Sequence, residues 1–380
     1  MSESPELAVA LSGGVDSAVT ALLLTRAGLR PAAIYMNNWE MDDGGECPGE
    51  IDARDAAAVA SQLGLPFHVR NLAAVYWERV FEHFLAEHRA GRTPNPDVLC
   101  NREVKFSALV DAADVLGAKQ IATGHYARLR RLDGRWQLLK ALDESKDQSY
   151  FLHLLDQQQL ARARFPLGEM HKTDVRRLAT EAGFAVASKK DSTGICFIGE
   201  RSYRPFLQRF LPRQPGPMLS DRGERLGEHE GLAFYTLGQR GGLRIGGVHG
   251  RPEAPWYVLA KRTQDNTLIV GQGVDHPALY SRQLWTGAGH FIAGQAPAAR
   301  FRARAKTRYR QPDQSCEVEV RDDGSWHIRF DAPQRAVTPG QSVVLYADQE
   351  CLGGAVIEGS DAVLEANESA VPQSLSPPGT

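Results

Sequence analysis

The chain has no pair of cysteines at C-x-x-C spacing, no apolar run approaching the ~18 residues that cross a bilayer, and no excess of charge of either sign. Each absence removes a class of protein. The five cysteines, Cys47, Cys100, Cys196, Cys316 and Cys351, are odd in number and widely spaced, so neither a disulfide framework nor a zinc or iron–sulfur site is expected. Free thiols remain. Lys plus Arg number 44 against 46 for Asp plus Glu, a net charge of −2, so no bulk polycation draws the chain onto RNA, DNA or acidic lipid. Any nucleic-acid site must be local. The start, MSESPEL, has neither a basic n-region nor an Arg-rich amphipathic face, which points to a cytoplasmic protein with no membrane contact. Hydrophobic residues at 42% and charged residues at 24% are ordinary for a globular protein, and 380 residues divided by ~150 give two to three domains.

The first half alternates short apolar runs (Leu7–Leu11, Ala32–Met36, Phe67–Val69, Gln120–Thr123) with helical stretches (Ser17–Ala27, Arg54–Leu63, Val75–His88, Lys105–Leu116). This alternation predicts an α/β fold with a doubly wound parallel sheet, whose ligand crevice lies at the carboxyl ends of the strands. Between Pro205 and Pro217 four prolines and a glycine fall within thirteen residues, and a Gly-rich stretch follows at Gly238–Gly250, which places a domain boundary there. Beyond it, short alternating segments (Tyr257–Ala260, Leu268–Val270, Cys316–Val320, Trp326–Phe330, Ser342–Tyr346) predict a small all-β module, barrel or sandwich. The expected division is 1–204, a catalytic domain; 205–280, a central domain; 281–360, a C-terminal β-barrel-like domain; and 361–380, a disordered acidic tail.

The strongest local signal is Leu11-Ser12-Gly13-Gly14-Val15-Asp16-Ser17, directly after a predicted strand and before a predicted helix. Adjacent glycines let successive N–H groups converge, and the helix start adds partial positive charge; together these suit a phosphate. The loop is neither a Walker A sequence nor G-x-G-x-x-G. Ser-Gly-Gly-Val-Asp-Ser resembles the PP-loop of the ATP pyrophosphatases, which split ATP to AMP and pyrophosphate to adenylate a substrate oxygen.

A second signal is Thr93-Pro94-Asn95-Pro96-Asp97-Val98-Leu99-Cys100-Asn101, a proline-stiffened loop ending in a cysteine at the expected start of a helix, where a thiolate is stabilised. Taken alone, such a cysteine is more often inert and buried. Cys196 lies in Asp191-Ser192-Thr193-Gly194-Ile195-Cys196-Phe197-Ile198-Gly199, whose plain reading is a core cysteine at a strand edge. The ordered set SGGVDS, NPDVLCN, ATGHYAR, KDQSYFL and DSTGICFIG is similar to that of the tRNA-specific 2-thiouridylases, which replace O2 of the wobble uridine by sulfur. The similarity runs from about Ala8 to Ile357.

That resemblance implies a chemistry that needs two thiols. A pyrimidine C2 oxygen is a poor leaving group until adenylated, and a cysteine persulfide delivers sulfur only if a second thiol releases it by disulfide exchange. By resemblance Cys196 carries the persulfide and Cys100 is its partner, the two ending as a disulfide, with their Cα atoms within ~7 Å at that step. Ala10, Leu11, Ser12, Gly13, Gly14, Val15, Asp16 and Ser17 would hold the ATP phosphates, Met36 would contact adenine, and Gly124 would touch the nucleotide. Asn95, Pro96 and Asp97 would meet the target base, with Asp97 suited to proton transfer. His125, Lys146, Asp147, Gln148, Arg308, Tyr309 and Gln341 would contact tRNA. Magnesium is expected with ATP, Asp16 being a candidate ligand. The family also implies tRNAs for Lys, Glu and Gln as substrates and a cysteine desulfurase or sulfur-relay protein as donor.

One signal is independent of the family. From Arg300 to Arg310 six cations occupy every second position with no acid among them, so an extended strand would project all six from one face. Such a ribbon suits phosphates and favours RNA contact over a solvated strand face. Two other readings stand beside the thiouridylase. One is an amide-forming PP-loop synthetase adenylating a carboxylate, for which no glutaminase-like Cys–His signature is evident; the other is a non-catalytic RNA-binding module.

Overall fold

A computed structural model describes residues 6–39, 48–191, 203–246, 254–362 and 364. Cys47, Cys196 and, apart from Asp361, Ala362 and Leu364, the expected tail lie outside the described residues. The first strands are β1 (Leu7–Ala10), β2 (Ala32–Asn37), β3 (Phe67–Asn71) and β4 (Gln120–Ala122); after a hairpin, β5 (Ala127–Leu132) and β6 (Arg135–Lys140), comes β7 (Ala163–Arg164). They form a five-stranded sheet in the order β3-β2-β1-β4-β7, parallel throughout.

Side-chain alternation explains why this sheet is covered on both faces. Leu7 and Val9 of β1 and Ala33 and Tyr35 of β2 enter one core, against α1 (Val15–Arg26), α2 (Pro48–Gln62) and a helix at Lys172–Glu181. Ala8 and Ile34 enter the opposite core with Phe106, Leu109, Tyr150 and Leu160. The chain leaves β1 toward β2 on one side and returns to β4 on the other. The carboxyl ends of β1 and β4 therefore flank a topological switch point, where open α/β sheets bind ligands.

The central sheet is ordered β10-β11-β8-β9, from β8 (Gly216–Ser220), β9 (Arg225–His229), β10 (Trp256–Arg262) and β11 (Thr267–Gln272). Its core is continuous with the catalytic part: Tyr76, Phe81, Phe84 and Cys100 share one cluster with Phe206, Leu232, Trp256 and Val270. The last strands are β12 (Tyr280–Ala288), β13 (His290–Phe291), β14 (Arg300–Lys306), β15 (Gln314–Val320), β16 (Ser325–Arg335), β17 (Ser342–Ala347) and β18 (Glu350–Ser360). Pairing runs β12-β16-β15-β14-β17-β18 and closes from β18 back to β12, an antiparallel barrel around Trp326, Ile328 and Leu345.

The hairpin β5–β6 belongs to the first part of the chain yet pairs with the barrel, Leu138 opposite Cys351 and Leu139 opposite Glu350. Asp133 and Gly134, both at positive φ (49° and 78°), form its turn. The seam is reinforced by an ion pair between Lys140 and Asp313 beside the ring of Tyr346.

Candidate active site

The loop after β1 turns because Gly13 sits at φ +73° and Gly14 is the N-cap of α1, with no side chain capping the helix. The first-turn amides of α1 therefore have no side-chain oxygen in front of them, the arrangement an anion uses. A Cβ on Gly13 would lie 2.4 Å from the carbonyl oxygen of Asp52 in α2, so conformation and crowding both demand glycine there. Ser17 Oγ ties the turn together, donating to the Gly14 carbonyl at 3.0 Å and accepting from the Ser12 amide at 3.1 Å. Across the switch point, a Cβ on Gly124 would meet the Ser17 amide nitrogen at 2.9 Å. The expected nucleotide residues at the ends of β1 and β4 are thus brought into one crevice. Met36, near the end of β2, is partly buried against both the sheet core and the central cluster.

A charge network surrounds this loop. Lys172, the first residue of its helix, places Nζ 2.7 and 2.8 Å from the two carboxylate oxygens of Asp16 and 2.8 Å from Asp191. Tyr126 donates its hydroxyl to Asp16 at 2.8 Å. Burial, followed by the neighbouring Asp16 charge, pushes that phenol well above its ordinary range. Asp191 also receives Lys146 at 2.8 Å and Arg176 at 2.7 Å. Burial raises its pKa, but hydrogen bonds from Lys146 and Lys172 outweigh that and hold the carboxyl at about 2. Lys189 donates to the Gly13 carbonyl at 3.0 Å and pairs with Asp52 and Asp55. Burial lowers its pKa, but these partners win and leave it raised.

The segment leading to Cys100 starts its helix earlier than expected. Asn95 is the N-cap, its Oδ1 accepting from the Asp97 amide at 3.2 Å, and Pro96 occupies the first turn. Cys100 lies one turn inside, its own amide already bonded back to the carbonyls of Pro96 and Asp97, and it is only 1% exposed. The expectation of a cysteine at an open helix start is therefore corrected. The dipole's effect falls off within the first turn, so the helix end is no sufficient reason for a thiolate here.

Upstream, Gly91-Arg92-Thr93 is gripped by all three parts of the chain. The Thr93 amide donates to the Pro339 carbonyl at 2.9 Å, and Gln341 Nε2 donates to the Thr93 carbonyl at 2.6 Å. Lys261 Nζ, from β10, donates to the Gly91 carbonyl at 2.9 Å and reaches the Thr93 hydroxyl at 3.5 Å. Arg92 closes on Glu87. Gly340 makes the approach feasible, because a Cβ there would lie 2.8 Å from the Thr93 amide.

Most of the expected RNA-contact residues sit in seams between elements. His125 is 9% exposed, its Nδ1 2.7 Å from Thr123 Oγ1 and its ring flanked by Phe106 and Phe165. Burial holds it well below the ordinary histidine range, hence neutral. Asp147, 4% exposed, accepts from the amides of Ala141 and Ser149 and from the Ser149 hydroxyl. Gln148 accepts from the Tyr126 amide at 2.9 Å. Arg308 donates to the carbonyls of Leu237 and Ala336, both at 2.9 Å, and Tyr309 packs on Phe151 with ring centroids 4.4 Å apart.

The basic ribbon is also different from its expectation. β14 ends at Lys306, so Arg308 and Arg310 lie beyond the strand. Its cations meet acids from other strands, turns and loops: Arg300 with Glu319 of β15, Arg302 with Asp331 of β16, Arg304 with Asp348, and the largely buried Lys306 with Asp147 and Asp313. Period-two spacing placed the cations on one face, as β geometry requires, but acids distant in sequence neutralise them.

Cys316 and Cys351 point into the barrel and its seam. Burial pushes the Cys316 thiol up to about 12 and raises Cys351 further, so both are poor nucleophiles. Among the described residues there is no group of three or more His, Cys, Asp or Glu placed to hold a metal, and no helix long and apolar enough to cross a membrane. Sequence reasoning did not single out Lys172, Lys189, Tyr126 or Lys261, whose partners are remote in the chain. Only Tyr126 lay inside a recognised motif, ATGHYAR.

A phosphate loop at the switch point of a parallel sheet, followed by a central sheet and a closed barrel, defines an α/β enzyme of the PP-loop ATP-pyrophosphatase class. Family models match the chain in succession: a tRNA methyl transferase HUP domain over residues 5–200, a tRNA methyl transferase PRC-barrel domain over 204–272 and an aminomethyltransferase beta-barrel domain over 281–357. The chain is 56% identical over 362 residues, 95% of its length and 96% of the relative's, to the tRNA-specific 2-thiouridylase MnmA of Xanthomonas axonopodis pv. citri (strain 306). It is likewise 56% identical over 363 residues, with the same coverage, to that of Stenotrophomonas maltophilia (strain R551-3). The chain belongs to the tRNA-specific 2-thiouridylase family.

Proposed function

We propose that this enzyme performs ATP-dependent 2-thiolation of tRNA, acting on C2 of the wobble uridine. The observation that carries the reading is the phosphate loop Ser12–Ser17 set against Gly124 at the switch point, with Lys172 and Lys189 at its edge. The uncapped start of α1 and the glycine cradle fit a triphosphate, with residues Ala10 to Ser17 as its holders, Met36 toward adenine and Gly124 beside it. Magnesium would enter with the phosphates, Asp16 being the protein's candidate ligand once Lys172 is drawn to the phosphate oxygens.

Uridine O2 attacks the α-phosphorus of ATP, and pyrophosphate leaves. The outer sulfur of a persulfide on Cys196 attacks C2 and expels AMP. Cys100 then attacks the inner sulfur of Cys196, breaking the S–S bond, so that thiouridine departs and a Cys100–Cys196 disulfide remains for a two-electron reductant. Asp97, at the second position of the Asn95-capped helix, is assigned to proton transfer near O2, with Asn95 and Pro96 against the base. His125, Lys146, Asp147, Gln148, Arg308, Tyr309 and Gln341 are assigned to the tRNA side. Given their seam positions, several of them act by shaping the surface that the anticodon meets. Cys196 lies outside the described residues, so its role rests on the DSTGICFIG motif.

The acceptors are tRNAs for Lys, Glu and Gln, the sulfur comes from a cysteine desulfurase or a relay protein, and the setting is the cytoplasm. The proposed division is a catalytic unit to residue 204, a central unit to 280, a barrel to 360 and a tail. The test is mass analysis of nucleosides from tRNA incubated with the protein, ATP and a persulfide donor. 2-Thiouridine that disappears in Cys100→Ala and Cys196→Ala supports the reading; thiol-independent AMP release overturns it in favour of an amide-forming synthetase.

A further inference from the structure

We propose that Lys261, on β10 of the central sheet, is a positioning residue for thiolation: by holding the Gly91 carbonyl and the Thr93 hydroxyl it fixes the lead-in from which Asp97 and Cys100 are presented to the uridine. The inference deepens the proposed role of the Asn95–Cys100 segment and rests on it.

The first observation is what Lys261 lacks. Its Nζ donates to the Gly91 carbonyl at 2.9 Å and lies 3.5 Å from Thr93 Oγ1, and no carboxylate pairs with it among the described residues. Burial pushes its ammonium down to about 7. A cation drawn from water without a counter-ion destabilises a fold, and an apolar chain of the same length would pack the seam at lower cost. Stability therefore does not account for an amine here. A hydrogen-bond donor does, since charged and neutral forms alike can donate to a carbonyl.

The second observation is the target. The lead-in sits beside a cleft of about 500 Å³ lined by His88, Arg89, Gly91, Leu232, Thr263 and Asn266, so packing alone does not fix it on that side. From the barrel it is fixed by Pro339 and Gln341, and from the central sheet by Lys261. Two residues after Thr93 comes Asn95, whose cap starts the helix that carries Asp97 and Cys100. An error in the lead-in is thus passed directly to the reacting groups, and displacements of ~1 Å at such groups cost about 100-fold in rate.

The experiment uses the full-length enzyme, a tRNA transcript, ATP and glutathione persulfide. Lys261→Met is expected to lower kcat for thiolation at least tenfold, to leave the ATP KM within twofold, and to leave the thermal midpoint unchanged or higher. Lys261→Arg, which keeps a donor, is expected to retain clearly more activity than the Met variant. Parental kcat in Lys261→Met overturns the inference, as does a loss matched by a lower midpoint and a raised ATP KM, or an Arg variant no better than Met. Cys100→Ala and Asp97→Asn are run alongside. If these turn over normally, the reading of the segment fails and the inference with it; if they are inactive while Lys261→Met is fully active, this inference alone fails.

Discussion

Lys172 Nζ lies 2.7 and 2.8 Å from the two carboxylate oxygens of Asp16, so the acid in the first turn of the phosphate-loop helix is neutralised by a residue 156 positions away. An unpaired carboxylate there would repel a triphosphate. Lys172→Met is expected to weaken ATP binding about tenfold, ~1.4 kcal/mol, with tRNA affinity unchanged. Calorimetric titration with ATP checks this; unaltered binding would show that Asp16 needs no partner.

Gly13→Ala combines a positive φ with a Cβ 2.4 Å from the Asp52 carbonyl oxygen. The loop must move, at a cost of ~2 kcal/mol or more. Urea unfolding should show a lower midpoint and ATP binding should be lost. Gly14→Ala, whose added Cβ comes no nearer than 3.5 Å, to Ser12 Oγ, should be the milder change.

Neutralised cations should contribute little to RNA affinity. Arg302 is paired with Asp331 of β16, reached across β15, so Arg302→Gln is expected to change the tRNA Kd less than about twofold and to move the salt slope by less than about one ion. A salt titration of binding decides it, and a slope reduced by a full ion would restore the basic-ribbon reading.

Acid sensitivity should centre on Asp191. Its carboxyl, at about 2 when folded against 3.8 in the free state, is depressed by Lys146 and Lys172 despite burial. A depressed acid contributes stability above its unfolded pKa and loses it as pH falls through the folded one. The loss therefore falls between about pH 4 and pH 2 and, after allowance for partial exposure, is on the order of 1 kcal/mol. Melts across that window should be shallower in Asp191→Asn; an identical pH profile would refute the assignment.

The barrel thiols should be silent. Cys316 and Cys351 are buried, and burial pushes the first up to about 12. Native iodoacetamide labelling at pH 8 should spare both, and Cys316→Ala should thiolate tRNA at the parental rate. Rapid modification of either would mean that the barrel opens.

The parallel sheet was legible because its first four strands are short apolar runs separated by helices, and the loop Ser12–Ser17 because glycine pairs are informative in that context. The hairpin at 127–140 was missed although Asp133-Gly134 is a strong turn signal between alternating residues. The early helix start was equally available in Asn95-Pro96, a cap followed by a first-turn proline. By contrast, nothing local marks Glu319, Asp331 or Asp348 as partners of β14, or Lys172 as the partner of Asp16. Those pairings are set by strand order and chain crossing, which one-dimensional spacing does not carry.

The pairing of β6 with β18 makes the barrel dependent on a ribbon made some two hundred residues earlier in synthesis. A fragment beginning at 281 would expose the Glu350–Cys351 end of β18 as a bare edge, with unpaired amides and carbonyls ready to recruit another chain. Such a truncation should self-associate, and adding the 127–140 ribbon back should solubilise it.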